Sequence, residues 1–145
     1  MIYTDLTKKA LKVCFDAHKE QFDKTGMPYV FHPFHLAEQM DDELSTICAL
    51  LHDVVEDTEI TFDALFEMGF PKIVLDVLTL LTHEEDMPYM EYVKKVATNP
   101  IAKKVKIADL MHNSDVTRLD QIDEYVIKRN EKYAEALRLL IKDVP

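Results

Sequence analysis

Apolar residues recur along this chain three and four positions apart, and no stretch of any length alternates with period two, so the pattern predicts helices throughout. Leu6, Ala10, Val13, Cys14 and Ala17 form a first stripe behind Thr4 or Asp5, either of which can cap the helix; Thr25-Gly26, with Pro28 beyond, predict its end. Pro33 suits the first turn of a short second helix reaching about Met40. A third is predicted from Asp42 to Val55, with Ile47, Leu50, Leu51 and Val54 inward. Thr61 caps a short helix ending at Gly69, Pro71 opens another to about Thr82, and Pro88 opens one that stops before Asn99-Pro100. Further helices are predicted over Ile101–His112 and over Asp120–Lys142, the latter carrying Val126, Tyr133, Leu137, Leu140 and Ile141. The expectation is an all-α bundle of six to eight helices with short connections, forming a single domain over residues 1–145.

Composition narrows the function classes. A chain of 145 residues can bury a core without disulfides or structural metals. Only 2 glycines and no tryptophan argue against a turn-rich sandwich or propeller. The balance of 17 basic against 27 acidic residues gives a net charge of −10 and excludes wide contacts with nucleic-acid backbones. It does not exclude a small anionic substrate, because a metal and a few local cations can reverse the field in one cleft. Cys14 and Cys48 lie among apolar neighbours without CxxC spacing and are read as reduced core thiols. No apolar run is long enough for a membrane span, and the first five residues lack signal-peptide character. A cytoplasmic protein with no membrane partner is expected.

The chemistry concentrates in three segments. His52-Asp53-Val54-Val55-Glu56-Asp57-Thr58 follows the core residues Ala49, Leu50 and Leu51. On a continuous helix His52 would lie under Glu56 and Asp53 under Asp57. Such groups at the end of a buried stretch are costly unless partnered, and a divalent cation accepting His and Asp as ligands removes that cost. A helix end running out into solvent is the alternative. Tyr29-Val30-Phe31-His32-Pro33 adds a histidine at a loop-to-helix junction. Lys106-Ile107-Ala108-Asp109-Leu110-Met111-His112-Asn113 adds an aspartate inside an apolar helix, with Asn113 four residues on. Two histidines and two aspartates from separate helices could form an oxygen/nitrogen site suited to a first-row divalent ion such as manganese or iron. His18 and His35 are candidates to assist the site that are read first as structural, His83 and His112 as peripheral, and Glu84-Glu85-Asp86 as a solvated loop. Met87, Met90 and Met111 are read as packing residues.

The order His…His-Asp…Asp resembles the HD-domain metal-dependent phosphohydrolases. Three stretches, Gly26 to Pro33, His52 to Thr58 and Lys106 to Asn113, are similar to the hydrolase domain of the RelA/SpoT-type alarmone enzymes. The resemblance runs from about His18 to Tyr133 and implies the all-helical HD fold in a small stand-alone hydrolase. It implies His32, His52, Asp53 and Asp109 as metal ligands, manganese as the ion, and Glu56 and Asp57 as the pair that activates water. The implied reaction removes the 3′-pyrophosphate of ppGpp or pppGpp, giving GDP or GTP. Lys24, Asn113, Arg129 and Tyr133 match positions around the nucleotide.

Two positions depart from the family pattern. Asp23-Lys24 stands where a basic pair is common, and Ser114-Asp115 follows Asn113 where an arginine is common, the next one being Arg118. These acids keep open an HD phosphohydrolase for another nucleotide and, as a non-enzymatic reading, a nucleotide-sensing module. The nucleotide is the only partner expected; association of the chain with itself is left open.

Overall fold

Side-chain caps set most of the helix starts. The computed structural model describes residues 1–142, and the last three positions of the expected 1–145 domain lie outside the described residues. A capping box between Thr4 and Thr7 opens α1 (Asp5–His18), and Val30 precedes α2 (Phe31–Glu38). Asp42 accepts from the Ser45 N–H at the start of α3 (Glu43–Leu51), and α4 is the single turn Val54–Asp57. Thr61 caps α5 (Phe62–Glu67), and Pro71 and Pro88 precede α6 (Lys72–Leu81) and α7 (Tyr89–Val96). Asn99 accepts from the N–H groups of Ile101 and Ala102 at 2.9 and 3.0 Å to open α8 (Pro100–Asn113). A 3₁₀ turn (Val116–Arg118) leads to α9 (Glu124–Ile141), capped by Asp123.

The centre of the bundle is α3, which packs against α1, α2, α6 and α8. Every residue from Ser45 to Leu51 is buried. A helix surrounded on all sides shows no amphipathic stripe, so the four-residue core face expected there understates its burial. Cys14 and Cys48 are buried free thiols, each pushed up to about 12 by burial and then by a nearby carboxylate.

Three expected boundaries move. The first helix stops at His18 rather than near Thr25. Residues 19–30 instead form a turn in which Phe22 and Pro28 pair as an antiparallel bridge and Gly26 takes φ +84°. The Asp23 carboxylate stabilises this turn by accepting from the Thr25 and Met27 N–H groups. The expected third helix breaks at His52–Asp53, with Asp53 at φ −107°, ψ 0°. This break gives nine α-helical segments among the described residues where six to eight were expected. The last helix begins at Glu124, after the 3₁₀ turn, rather than at Asp120.

The Asn99 cap fixes the start of the helix that carries Asp109. Asn99→Ala is expected to cost about 1 kcal/mol, read as a lower urea midpoint at unchanged m-value. An unchanged midpoint would mean that the cap contributes nothing.

Candidate metal centre

Three elements bring the site together: the first turn of α2 supplies His32, the C-terminal end of α3 supplies His52 with Asp53 just after it, and α8 supplies Asp109. Pro33 lies in the first turn of α2, where its missing N–H costs no helical bond, and His32 beside it is buried. His32 Nε2 lies 2.8 Å from Asp109 Oδ1. His52 turns its Nδ1 back onto the Ala49 carbonyl at 2.7 Å, satisfying a carbonyl of the last turn of α3. That bond fixes the proton on Nδ1. His52 Nε2 is left 3.0 Å from Asp53 Oδ2 and 3.4 Å from Asp109 Oδ1, fully buried and hydrogen-bonded to neither.

Ligand atoms of His32, His52 and Asp109 all lie within 4.8 Å of one another, so this His/His/Asp cluster could hold a metal ion. Asp53 completes the cluster beside His52, and its Oδ2 also accepts from the Tyr29 hydroxyl. The donor set is oxygen and nitrogen without thiolate, which suits a first-row divalent ion. The orphaned Nε2 is the observation that fits such an ion: a buried lone pair facing two carboxylates calls for a cation between them. Without metal a proton serves instead. Burial opposes charge on His52, but Asp53 and Asp109 outweigh it and raise its pKa well above the ordinary value. Burial likewise opposes charge on Asp109, and Lys106 and the histidines hold it well below the usual carboxylate range.

Asp109 is the most heavily partnered group. Its Oδ2 accepts from Lys106 Nζ at 2.9 Å, and its Oδ1 accepts from Asn113 Nδ2 at 3.1 Å. Lys106 was not singled out from sequence, although its spacing three residues before Asp109 on a helix would have allowed it. Burial opposes its charge, but Asp109 and then Tyr92 and Tyr89 raise its pKa well above the ordinary lysine value. Tyr29, in the sequence only an aromatic flanking His32, donates its hydroxyl to Asp53 and so orients it.

A cavity of about 160 Å³ opens on one side, lined by Asp53, Glu56, His83, Tyr89, Lys106 and Asp109 among others. Glu56 thus stands beside the cluster, its Oε1 accepting from the His83 N–H. The break at His52–Asp53 removes the stacking expected of His52 under Glu56 on one helix. The Asp57 N–H still bonds the Asp53 carbonyl at 2.9 Å, so the second expected stacking survives in the backbone. Burial first, and then the Asp53 charge, raise both carboxyls above their ordinary values. His83 and His112, expected at the periphery, belong to the centre: His83 lines this cavity, and His112 Nδ1 lies 2.7 Å from His32 Nδ1. Neither relation has a sequence spacing that would disclose it. His18 is buried against Tyr29, and His35 stacks on His112 at 4.1 Å.

On the other side, a cavity of about 250 Å³ is lined by Lys24, Tyr29, Asn113, Arg118 and Arg129 together with Asp23 and Asp115. Arg129 Nη2 donates to the Asn113 carbonyl at 3.0 Å. Tyr133 stands apart from this wall, its ring 5.5 Å from the Arg129 guanidinium and 6.5 Å from the Tyr89 ring. The two departing acids are occupied locally. Asp23 holds its turn, and Asp115 accepts from the Thr117 N–H and hydroxyl in the 3₁₀ turn. Arg118, the next arginine after Asn113, folds back into the wall: Nη1 donates to the His112 carbonyl at 2.9 Å and Nη2 lies 3.8 Å from Asp23 Oδ2. Asp23→Arg, which charge alone favours as an improvement, would therefore cost the turn its hydrogen bonds.

No protein-family model matches the chain. It is similar to the guanosine-3′,5′-bis(diphosphate) 3′-pyrophosphohydrolase of Mus musculus, at 30% identity covering 89% of this chain and 90% of that one. It is similar to the enzyme of the same name from Aquifex aeolicus, at 30% identity covering 86% of this chain and 18% of that one. The chain thus spans less than a fifth of the long bacterial relatives it matches. A solved metazoan ortholog of SpoT that hydrolyses ppGpp shares the fold, with a TM-score of 0.79, 21% identity and coverage of 99% of this chain and 89% of that one.

Removing the Lys106 ammonium leaves Asp109 buried against fewer cations. Lys106→Met, which keeps the apolar stem, is expected to lower the stability of the metal-free protein by about 3–5 kcal/mol in chemical denaturation. A loss under about 1 kcal/mol would show that the histidines alone suffice.

Proposed function

The chain belongs to the HD-type (p)ppGpp hydrolase family, and on that premise we propose that it is a metal-dependent hydrolase removing the 3′-pyrophosphate of ppGpp or pppGpp. The observation that carries the reading is the buried His52 Nε2 between two carboxylates. His32, His52, Asp53 and Asp109 hold one divalent ion, for which the family likeness suggests manganese. When bound, such an ion polarises a phosphoryl oxygen and makes water more acidic. One domain over residues 1–145 carries the activity.

Glu56 and Asp57 orient the attacking water and take its proton. Their raised pKa values bring them nearer neutral pH, where a general base is more effective. Tyr29 holds Asp53 in place, and Lys106 keeps Asp109 ionised so that its Oδ1 remains a ligand. Lys24, Asn113, Arg118 and Arg129 form the wall that receives the nucleotide's phosphates, with the arginines suited to forked contacts. Tyr133, with Tyr89 nearby, offers an aromatic face to the base. These local cations draw a polyanion into a chain of net charge −10. Among the described residues no helix is long and apolar enough to cross a membrane, and a cytoplasmic site of action completes the proposal.

The test is manganese-loaded protein with ppGpp, pppGpp, GTP and a panel of other nucleotides. Pyrophosphate release from the first two and little action on GTP is expected, while Glu56→Ala and Asp57→Ala keep metal but lose about 10²-fold or more in kcat. No release from either alarmone, with turnover of another nucleotide, would move the activity to that substrate. Arg118→Ala is expected to raise KM for ppGpp about fivefold with kcat little changed, as for loss of one solvent-facing ion pair remote from the reacting centre. An unchanged KM would remove Arg118 from the phosphate wall.

A further inference from the structure

A metal-ligating histidine must present a lone pair to the ion, so its other ring nitrogen carries the proton and needs an acceptor. In His52 that acceptor is the Ala49 carbonyl. For His32 the neighbour of Nδ1 is another imidazole: His112 Nδ1 lies 2.7 Å away, and the two rings lie edge to edge, within 5° of parallel and 5.0 Å between centroids. His112 has two further neighbours, neither of which bonds its ring nitrogens. The His35 ring covers it at 4.1 Å, and Arg118 Nη1 bonds its carbonyl at 2.9 Å.

We propose that His112 is the positioning residue for the metal centre, acting through His32. The proposal rests on the metal reading of His32, His52, Asp53 and Asp109. With His32 Nε2 2.8 Å from Asp109 Oδ1, the metal-free arrangement puts the proton on Nε2, where it is donated to the carboxylate. His32 Nδ1 is then an acceptor, and His112 must donate to it. When Nε2 gives its lone pair to an ion, the His32 proton sits on Nδ1 and His112 must accept. A backbone carbonyl or a carboxylate serves only the second arrangement. A neutral imidazole serves both by moving its own proton between Nδ1 and Nε2. His112 therefore keeps the His32 ring in one orientation whether or not the ion is present.

The test compares wild type with His112→Phe, His112→Asn and His35→Ala. Phe keeps a flat ring and removes the hydrogen bond. Asn restores an acceptor and a donor near the position of Nδ1. His35→Ala removes the outer ring without touching the bond. The readouts are Mn²⁺ affinity from the signal of the free ion, the Co²⁺ absorption spectrum, and the melting temperature of metal-free protein. We expect His112→Phe to weaken Mn²⁺ binding about 10–100-fold and to alter the Co²⁺ spectrum. His112→Asn should recover most of the affinity, and His35→Ala should match wild type. A residue that merely packs would lower the metal-free melting temperature in His112→Phe while leaving metal affinity at the wild-type value, and that result overturns the proposal. Equal weakening in His112→Phe and His112→Asn also overturns it, because the acceptor would not matter. If wild type itself binds neither ion, the metal reading fails and the proposal fails with it.

Discussion

Asp109 sits in an otherwise apolar stretch of α8, and a carboxylate buried there is tolerable only because groups from three elements converge on it. Lys106 and Asn113 reach it from its own helix, His32 from the start of α2 and His52 from the end of α3. An unpaired charge in that position would cost more than the fold could supply. The need to partner Asp109 therefore ties α2, α3 and α8 into one arrangement. The same arrangement leaves lone pairs aimed at a common point.

The helix break after α3 follows from this constraint. His52 turns its ring back to the Ala49 carbonyl, which both closes the end of a fully buried helix and fixes the tautomer. Asp53 then adopts a bridge-region backbone, and its carboxylate comes beside His52. An uninterrupted helix would have stacked His52 under Glu56 but would not have aimed His52 and Asp53 at the same place. The four-residue α4 carries Glu56 and Asp57 onward next to the cluster.

Charge is distributed on the same principle of local pairing. The chain is strongly acidic, yet Lys24, Arg118 and Arg129 gather in one wall. Asp23 and Asp115 lie in that wall without dominating it, because backbone N–H groups of two turns occupy one oxygen of each and Arg118 faces the second oxygen of Asp23. An acidic residue used as a turn former presents a smaller field to a ligand than its formal charge suggests.

Helical periodicity and capping residues determined most of the architecture by themselves. Thr4, Asp42 and Thr61 mark real helix starts, Asn99, expected only as the end of one helix, also caps the next, and Gly69, with φ +100°, follows α5 as expected. Histidines and aspartates set among apolar residues, in an order that resembles the HD family, marked His32, His52, Asp53 and Asp109, which the fold brings together. Boundaries set by side-chain competition with the backbone were not legible: the Asp23 turn ended α1 early, and the His52 ring ended α3 early. Likewise hidden were the long-range pairs of His112 with His32 and of Arg118 with Asp23. Periodicity reports which face of a helix is buried. It is silent on which side chain from another helix meets that face, because that depends on how the helices pack in three dimensions.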